Sequence, residues 1–102
     1  MAFSQVRVIA YATLSVTDTA TGLSGASPAI TANVMQAIIT LETAQVRWRA
    51  DGTAPTSSEG HLLEIADTLA FTGANWQHML NTIQFIRTGS TSGALKITYL
   101  GI

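Results

Sequence analysis

Residues 5–17 read QVRVIAYATLSVT, and this stretch decides the fold class. Apolar side chains recur at every second position, which is the period of a β-strand and not of a helix. The pattern predicts one strand face made of Val6, Val8, Ala10, Ala12, Leu14 and Val16. The opposite face carries Arg7, Ile9, Tyr11, Thr13 and Ser15. Because Ile9 and Tyr11 are apolar, we expect that second face to be partly covered as well.

Shorter strand patterns follow along the rest of the chain. Residues 33–42, NVMQAIITLE, are apolar on both faces, which predicts a central strand or one covered by a partner. A helix is the competing interpretation there, and the β-branched content favours the strand. Further strands are predicted over residues 44–49, 61–65, 69–71, 82–87 and 94–100. Residues 73–80 predict a single helical turn or an irregular crossing.

Turn-forming residues separate these patterns, and residues 18–29, DTATGLSGASPA, predict a loop. The seven to eight short strands indicate an all-β protein with one domain over residues 1–102. Its expected architecture is an antiparallel β-sandwich or a small jelly-roll barrel.

The chain is poor in charge for its size. Only 11% of its 102 residues are charged, against about 25% in a typical globular chain. A small domain has a high surface-to-volume ratio and needs more polar surface than average. We therefore expect other copies or a partner protein to cover part of the apolar surface. The predicted interface residues are Ile9, Tyr11, Val34, Met35 and Ile38, together with Arg47 and Arg49.

Composition also argues against several classes of partner. The longest apolar stretch, residues 34–41, is broken by Gln36 and Thr40, so no membrane span is expected. The alternating first residues do not resemble a signal peptide. The net charge is −1 and the five basic residues are scattered, so nucleic-acid binding is not expected. The absence of cysteine removes disulfides and thiolate metal sites, and it leaves the redox compartment undetermined.

Residues that could carry catalysis are scarce. His61 and His78 lack the further ligands at suitable spacing that a metal site needs. No nucleophile elbow, dinucleotide fingerprint or phosphate loop occurs. We therefore expect no enzyme activity, no cofactor and no metal. Trp48 and Trp76, with two tyrosines, Tyr11 and Tyr99, could form an aromatic platform for sugars, although core and interface packing is the simpler interpretation.

Residues 47–73, RWRADGTAPTSSEGHLLEIADTLAFTG, resemble small proteins encoded among the virion structural genes of tailed bacteriophages. Those proteins share the pattern R-[WY]-R-x-D-G-T-x-P-T and an I-R-x-G-S-T hairpin, which stands here at residues 86–91. The resemblance implies a virion component, either a capsid decoration (cement) protein or a small head or tail accessory protein. Such decoration proteins are often β-rich homotrimers bound to the major capsid protein. It supplies no catalytic or ligand residues, and a carbohydrate- or receptor-binding module of a phage tail is the alternative.

Overall fold

The computed structural model describes residues 5–102. The first half of the chain forms β1 Arg7–Val16, β2 Thr21–Gly22, a 3-10 turn Leu23–Gly25, β3 Val34–Glu42 and β4 Val46–Arg49. The second half forms β5 His61–Leu63, β6 Thr68–Phe71, α1 Gln77–Thr82, β7 Gln84–Arg87 and β8 Gly93–Gly101. The domain predicted over residues 1–102 thus includes four residues, 1–4, that lie outside the described part.

Eight strands form two antiparallel sheets of four. Sheet A has the order β1-β8-β3-β6, and sheet B has the order β2-β7-β4-β5. The first and last strands are neighbours, and the chain crosses between the sheets at most of its connections. This strand order is that of a jelly roll, an arrangement of two interleaved Greek keys. The predicted all-β antiparallel fold is confirmed.

One hydrophobic core lies between the two sheets. Its largest fully buried side chains include Tyr99, Phe85, Ile39 and Ile97. Leu80 of α1 and Leu23 of the 3-10 turn close the core from the connections. Because both sheets contribute to the same core, the described residues form a single domain. No helix among residues 5–102 is long and apolar enough to cross a membrane.

A bulge in β1 changes which of its side chains face the core. Val8 pairs with Leu100 and Ala10 pairs with Tyr99, so Ile9 is an extra residue in the ladder. An extra residue reverses the alternation on one side of the bulge. The residues after it point inward as predicted, but Val8 is 62% exposed and Val6 is 46% exposed. The prediction that both valines share the inner face is therefore wrong.

A second bulge lies at Met35 in β3. Val34 pairs with Gly101 and Gln36 pairs with Leu100, which leaves Met35 without a partner on β8. Val34 is consequently fully buried in the core, although it was predicted, like Ile38, to lie in an interface. The predicted central strand is confirmed, because β3 lies between β8 and β6.

Two predicted irregular segments have more structure than expected. The loop over residues 18–29 contains β2 and the 3-10 turn, and Ser27 exchanges two backbone hydrogen bonds with Thr13 of 3.1 and 2.9 Å. The segment 73–80 leads into α1, which extends to Thr82. Both segments therefore pack on the core and cover open ends of the sandwich.

Candidate functional site

A cavity of about 550 Å³ opens where β4 ends and β5 begins. The β4–β5 loop supplies half of the lining residues, strands β4 and β5 supply three, and one comes from α1. The lining residues are Trp48, Arg49, Ala50, Asp51, Glu59, Gly60, His61 and Met79. Most of them belong to the segment that carries the phage resemblance.

An aromatic row crosses from sheet B to sheet A beside this cavity. Strand pairing places Trp48 opposite His61, and their ring centres are 4.8 Å apart. Trp48 also packs edge-to-face on Phe71 at 6.4 Å, and Phe71 packs on Trp76 at 5.5 Å. The indole N–H of Trp76 donates to the carbonyl of Thr72 at 3.0 Å. Trp76 is therefore a packing residue, and Trp48 is the tryptophan that lines the cavity.

The β4–β5 loop is held in place by Arg47. Its Nε donates to the carbonyl of Ser57 at 3.1 Å, and its Nη1 donates to the carbonyl of Gly60 at 2.8 Å. Pro55, within the loop, is buried. Hydrogen bonds from one side chain to two distant carbonyls fix the loop against the strand, so the cavity wall is largely preformed.

Arg49 and Asp51 form an ion pair at the cavity rim. Arg49 Nε donates to Asp51 Oδ1 at 3.0 Å, and Arg49 Nη2 donates to Oδ2 at 2.5 Å. The hydrogen bond from Arg49 lowers the pKa of Asp51 to about 2, and the same bond raises the pKa of Arg49. Both groups are therefore charged at neutral pH. Arg47 and Arg49, which were predicted to lie in an interface, thus make their side-chain hydrogen bonds within the β4–β5 loop region.

The outer face of sheet A forms a second candidate surface, which we call the sheet A face. Tyr11 and Ile38 both pair with Thr98, so they stand in one row on either side of it. Tyr11 is 59% exposed and Ile38 is 39% exposed. The next row holds Val8 and Leu100, and the exposed Val6 and Ile102 continue their strands.

Polar residues occupy the other half of the sheet A face. Lys96 pairs with Thr13 on one side and Thr40 on the other, and the row beyond places Glu42 opposite Ala94. The paired rows of this face thus carry one cation and one anion beside an apolar half.

The structure separates the predicted interface residues into three groups. Tyr11 and Ile38 come together on the sheet A face. Ile9 and Met35 lie at the bulges and are half-buried. Val34 is buried in the core, so its side chain cannot contact a partner. Arg47 and Arg49 bind the β4–β5 loop and lie on sheet B.

Sequence reasoning placed Trp48 among possible sugar-binding residues but missed its cavity neighbours. The sequence assigned no binding role to Asp51 or His61. The signal that could have found them is hairpin register, because a loop over residues 50–60 brings His61 opposite Trp48. Within residues 5–102, no three histidine or carboxylate side chains converge as metal ligands would.

The chain matches no protein-family model, no curated protein and no solved structure.

Proposed function

We propose that this chain is a non-catalytic structural subunit that assembles with copies of itself, and that the assembly decorates the capsid of a tailed bacteriophage. The exposed apolar half of the sheet A face carries the assembly part of the proposal. The resemblance of residues 47–73 and 86–91 to phage virion proteins supports the setting. Jelly rolls occur in viral capsid domains and in lectins, so the fold agrees with the proposal without deciding it.

The exposed apolar side chains of the sheet A face are more stable in contact with a protein partner than in contact with water. Val8, Tyr11 and Ile38 lie in adjacent rows, together with Leu100. Burying apolar surface stabilises by about 25 cal/mol per Å². The face spans on the order of 500 Å², given strands about 4.8 Å apart with a rise of about 3.3 Å per residue. This is smaller than a standard interface, which covers about 800 Å² on each partner, so the contact needs neighbouring surface as well.

The charge pattern of the face favours a second copy as the partner. Lys96 and Glu42 stand on the same face, so two copies can pair opposite charges across the contact. Direct face-to-face contact gives a twofold dimer, whereas a ring needs the face to meet another surface of the next copy. The resemblance favours a homotrimer, which light scattering distinguishes by a mass three times the 10.8 kDa of the chain.

A matched pair of substitutions tests the face. Ile38 is 39% exposed on sheet A, and Leu62 is 47% exposed beside Arg47 on sheet B. Ile38→Asp places an unpaired charge in the proposed interface, which costs about 3–5 kcal/mol. That cost weakens association by two to three orders of magnitude, at about 1.4 kcal/mol per tenfold. Leu62→Asp should leave the oligomer intact.

Size-exclusion chromatography with light scattering gives the outcome. The wild-type chain should elute as an oligomer at micromolar concentration, and Ile38→Asp as a folded monomer by circular dichroism. A monomeric wild-type chain would contradict the proposal. Dissociation by Leu62→Asp but not by Ile38→Asp would show that the interface lies on sheet B. For the capsid setting, purified particles of the encoding phage should contain the chain, and its deletion should lower the temperature at which they release DNA.

A further inference from the structure

The cavity at the β4–β5 loop is a feature that the assembly proposal does not use. None of its lining residues lies on the sheet A face. Its volume of about 550 Å³ falls within the range of small-molecule sites, which is roughly 300–1,000 Å³. Its wall is held by Arg47 and by strand pairing, so a ligand would meet a preformed shape.

Trp48 gives this cavity a fixed aromatic wall. Its ring is held edge-to-face by Phe71 at 6.4 Å and lies beside His61 at 4.8 Å. The face of an indole ring is electron-rich, and the polarised C–H groups on one side of a sugar ring pack well against such a face. An aromatic ring that is oriented before binding loses little conformational entropy when the ligand arrives.

The polar groups around Trp48 suit hydroxyl groups. The carboxylates of Asp51 and Glu59 accept hydrogen bonds, while Arg49 donates them and His61 can do either. A sugar hydroxyl both donates and accepts, so it can join such a mixed set.

The charged side chains of the cavity wall are Arg49, Asp51 and Glu59, so the wall carries one excess negative charge. Arg49 pairs with Asp51 and also interacts electrostatically with Glu59. This excess charge disfavours an anionic ligand, and beside Arg49 it attracts a cationic ligand only weakly. The ligand that fits the aromatic wall and these polar groups therefore has an apolar ring face and uncharged hydroxyl groups.

We infer that the cavity beside Trp48 is a binding site for a neutral pyranose sugar. The apolar face of the sugar packs on the indole ring, and its hydroxyl groups bond to Asp51, Glu59 and His61. This site does not depend on assembly, because it uses no residue of the sheet A face.

Nuclear magnetic resonance of the full chain labelled with ¹⁵N tests the site directly. The chain has two tryptophans, so the indole N–H region should contain two signals, which a Trp76→Phe variant assigns. The probes are the methyl pyranosides of glucose, galactose, mannose, rhamnose and N-acetylglucosamine, with tetramethylammonium chloride as a cationic comparison. At least one sugar should move the Trp48 signal to saturation, with a dissociation constant on the order of 1 mM, and move the Trp76 signal less.

Variants of exposed lining residues then locate the bound sugar. Glu59→Gln and His61→Ala should each raise the dissociation constant about tenfold, as expected for the loss of one hydrogen bond to a charged or polar partner. Glu42→Gln makes the same chemical change as Glu59→Gln but lies on the sheet A face, and it should leave binding unchanged. Thermal unfolding of Glu59→Gln should match that of the wild type, because this side chain is exposed. His61→Ala also removes the ring contact with Trp48 and should lower the midpoint slightly.

Three results would overturn the inference. One is that no sugar shifts the Trp48 signal. Another is that tetramethylammonium gives the only saturable shift, which would indicate a cation site. The third is that Glu42→Gln weakens sugar binding as much as Glu59→Gln does.

Discussion

Replacing Gly60 by alanine adds one methyl group where the β4–β5 loop re-enters sheet B. Gly60 has a φ of +133°, a backbone conformation that side chains rarely adopt. A Cβ atom built there lies 3.0 Å from the carbonyl oxygen of Trp48 and 3.2 Å from the Cβ of Pro55. The first contact is with backbone, which has little freedom to move away.

Two costs add in the Gly60→Ala variant. Backbone strain at such a φ costs about 1–3 kcal/mol. Crowding of a packed site costs about another 1–3 kcal/mol. The unfolded Gly60→Ala chain has lower conformational entropy than the unfolded wild-type chain, which offsets only about 0.4–1 kcal/mol of this loss. The net loss of unfolding free energy is about 1–5.5 kcal/mol, and at about 4–8 °C per kcal/mol the unfolding midpoint should fall by at least about 4 °C.

Two other glycines separate these costs. Gly52 has a φ of +89° with no atom near a built Cβ. Gly52→Ala should therefore lower the unfolding free energy through backbone strain alone, by about 1–2 kcal/mol. Gly89 has open space and a φ outside the left-handed region, so Gly89→Ala should be neutral or slightly stabilising. Thermal unfolding by circular dichroism, at one protein concentration because association shifts the midpoint, measures the series. Equal midpoints for Gly60→Ala and Gly52→Ala would refute the contact with Trp48.

Three further predictions concern single side chains. Asp51 should titrate with a pKa of about 2, followed by carboxyl ¹³C chemical shifts, and Arg49→Gln should return that pKa toward about 3.9. Because the folded pKa is depressed, the stabilisation from this pair is complete above about pH 4 and is lost as the pH falls toward 2. Tyr99→Phe removes the 3.2 Å hydrogen bond from the phenol to the carbonyl of Pro28 and should lower the unfolding free energy, measured in urea, by about 0.5–1.5 kcal/mol. Leu80→Ala empties a fully buried position and should cost about 2–5 kcal/mol in the same assay.

The strands were predictable because alternation is a local property of the chain. Residues 5–17 and 94–100 gave β1 and β8 within two residues at either end. Their pairing with each other was not predictable, because it joins the two ends of the chain and depends on how both sheets bury one core. The bulges at Ile9 and Met35 were missed for a related reason. Each extra residue is an ordinary apolar strand residue, and only the register against β8 reveals the bulge.

The candidate surfaces were only partly predictable. Low charge predicts a covered apolar surface, and that stays a prediction. The structure leaves the predicted interface residues Tyr11 and Ile38 exposed. The sequence could not show that Val34 and Ile38 face opposite sides of the sheet. Two residues four positions apart face the same side of a regular strand, but a bulge between them puts them on opposite sides. The cavity depends on a loop that returns to Trp48, and the sequence marks such a loop only by its turn formers.

The proposed assembly strengthens the proposed sugar binding, because it fixes the positions of several cavities relative to one another. In a ring with cyclic symmetry, every copy presents its cavity toward the same end of the axis. A sugar site with a dissociation constant near 1 mM is weak alone, but several sites that engage one surface at once bind about 10²–10⁴ times more tightly. The Ile38→Asp monomer should therefore keep the affinity of the Trp48 cavity for a free methyl pyranoside. It should lose retention on a resin densely coated with the same sugar, whereas Glu59→Gln should weaken both. A monomer that is retained as well as the wild-type oligomer would show that the cavities do not act together.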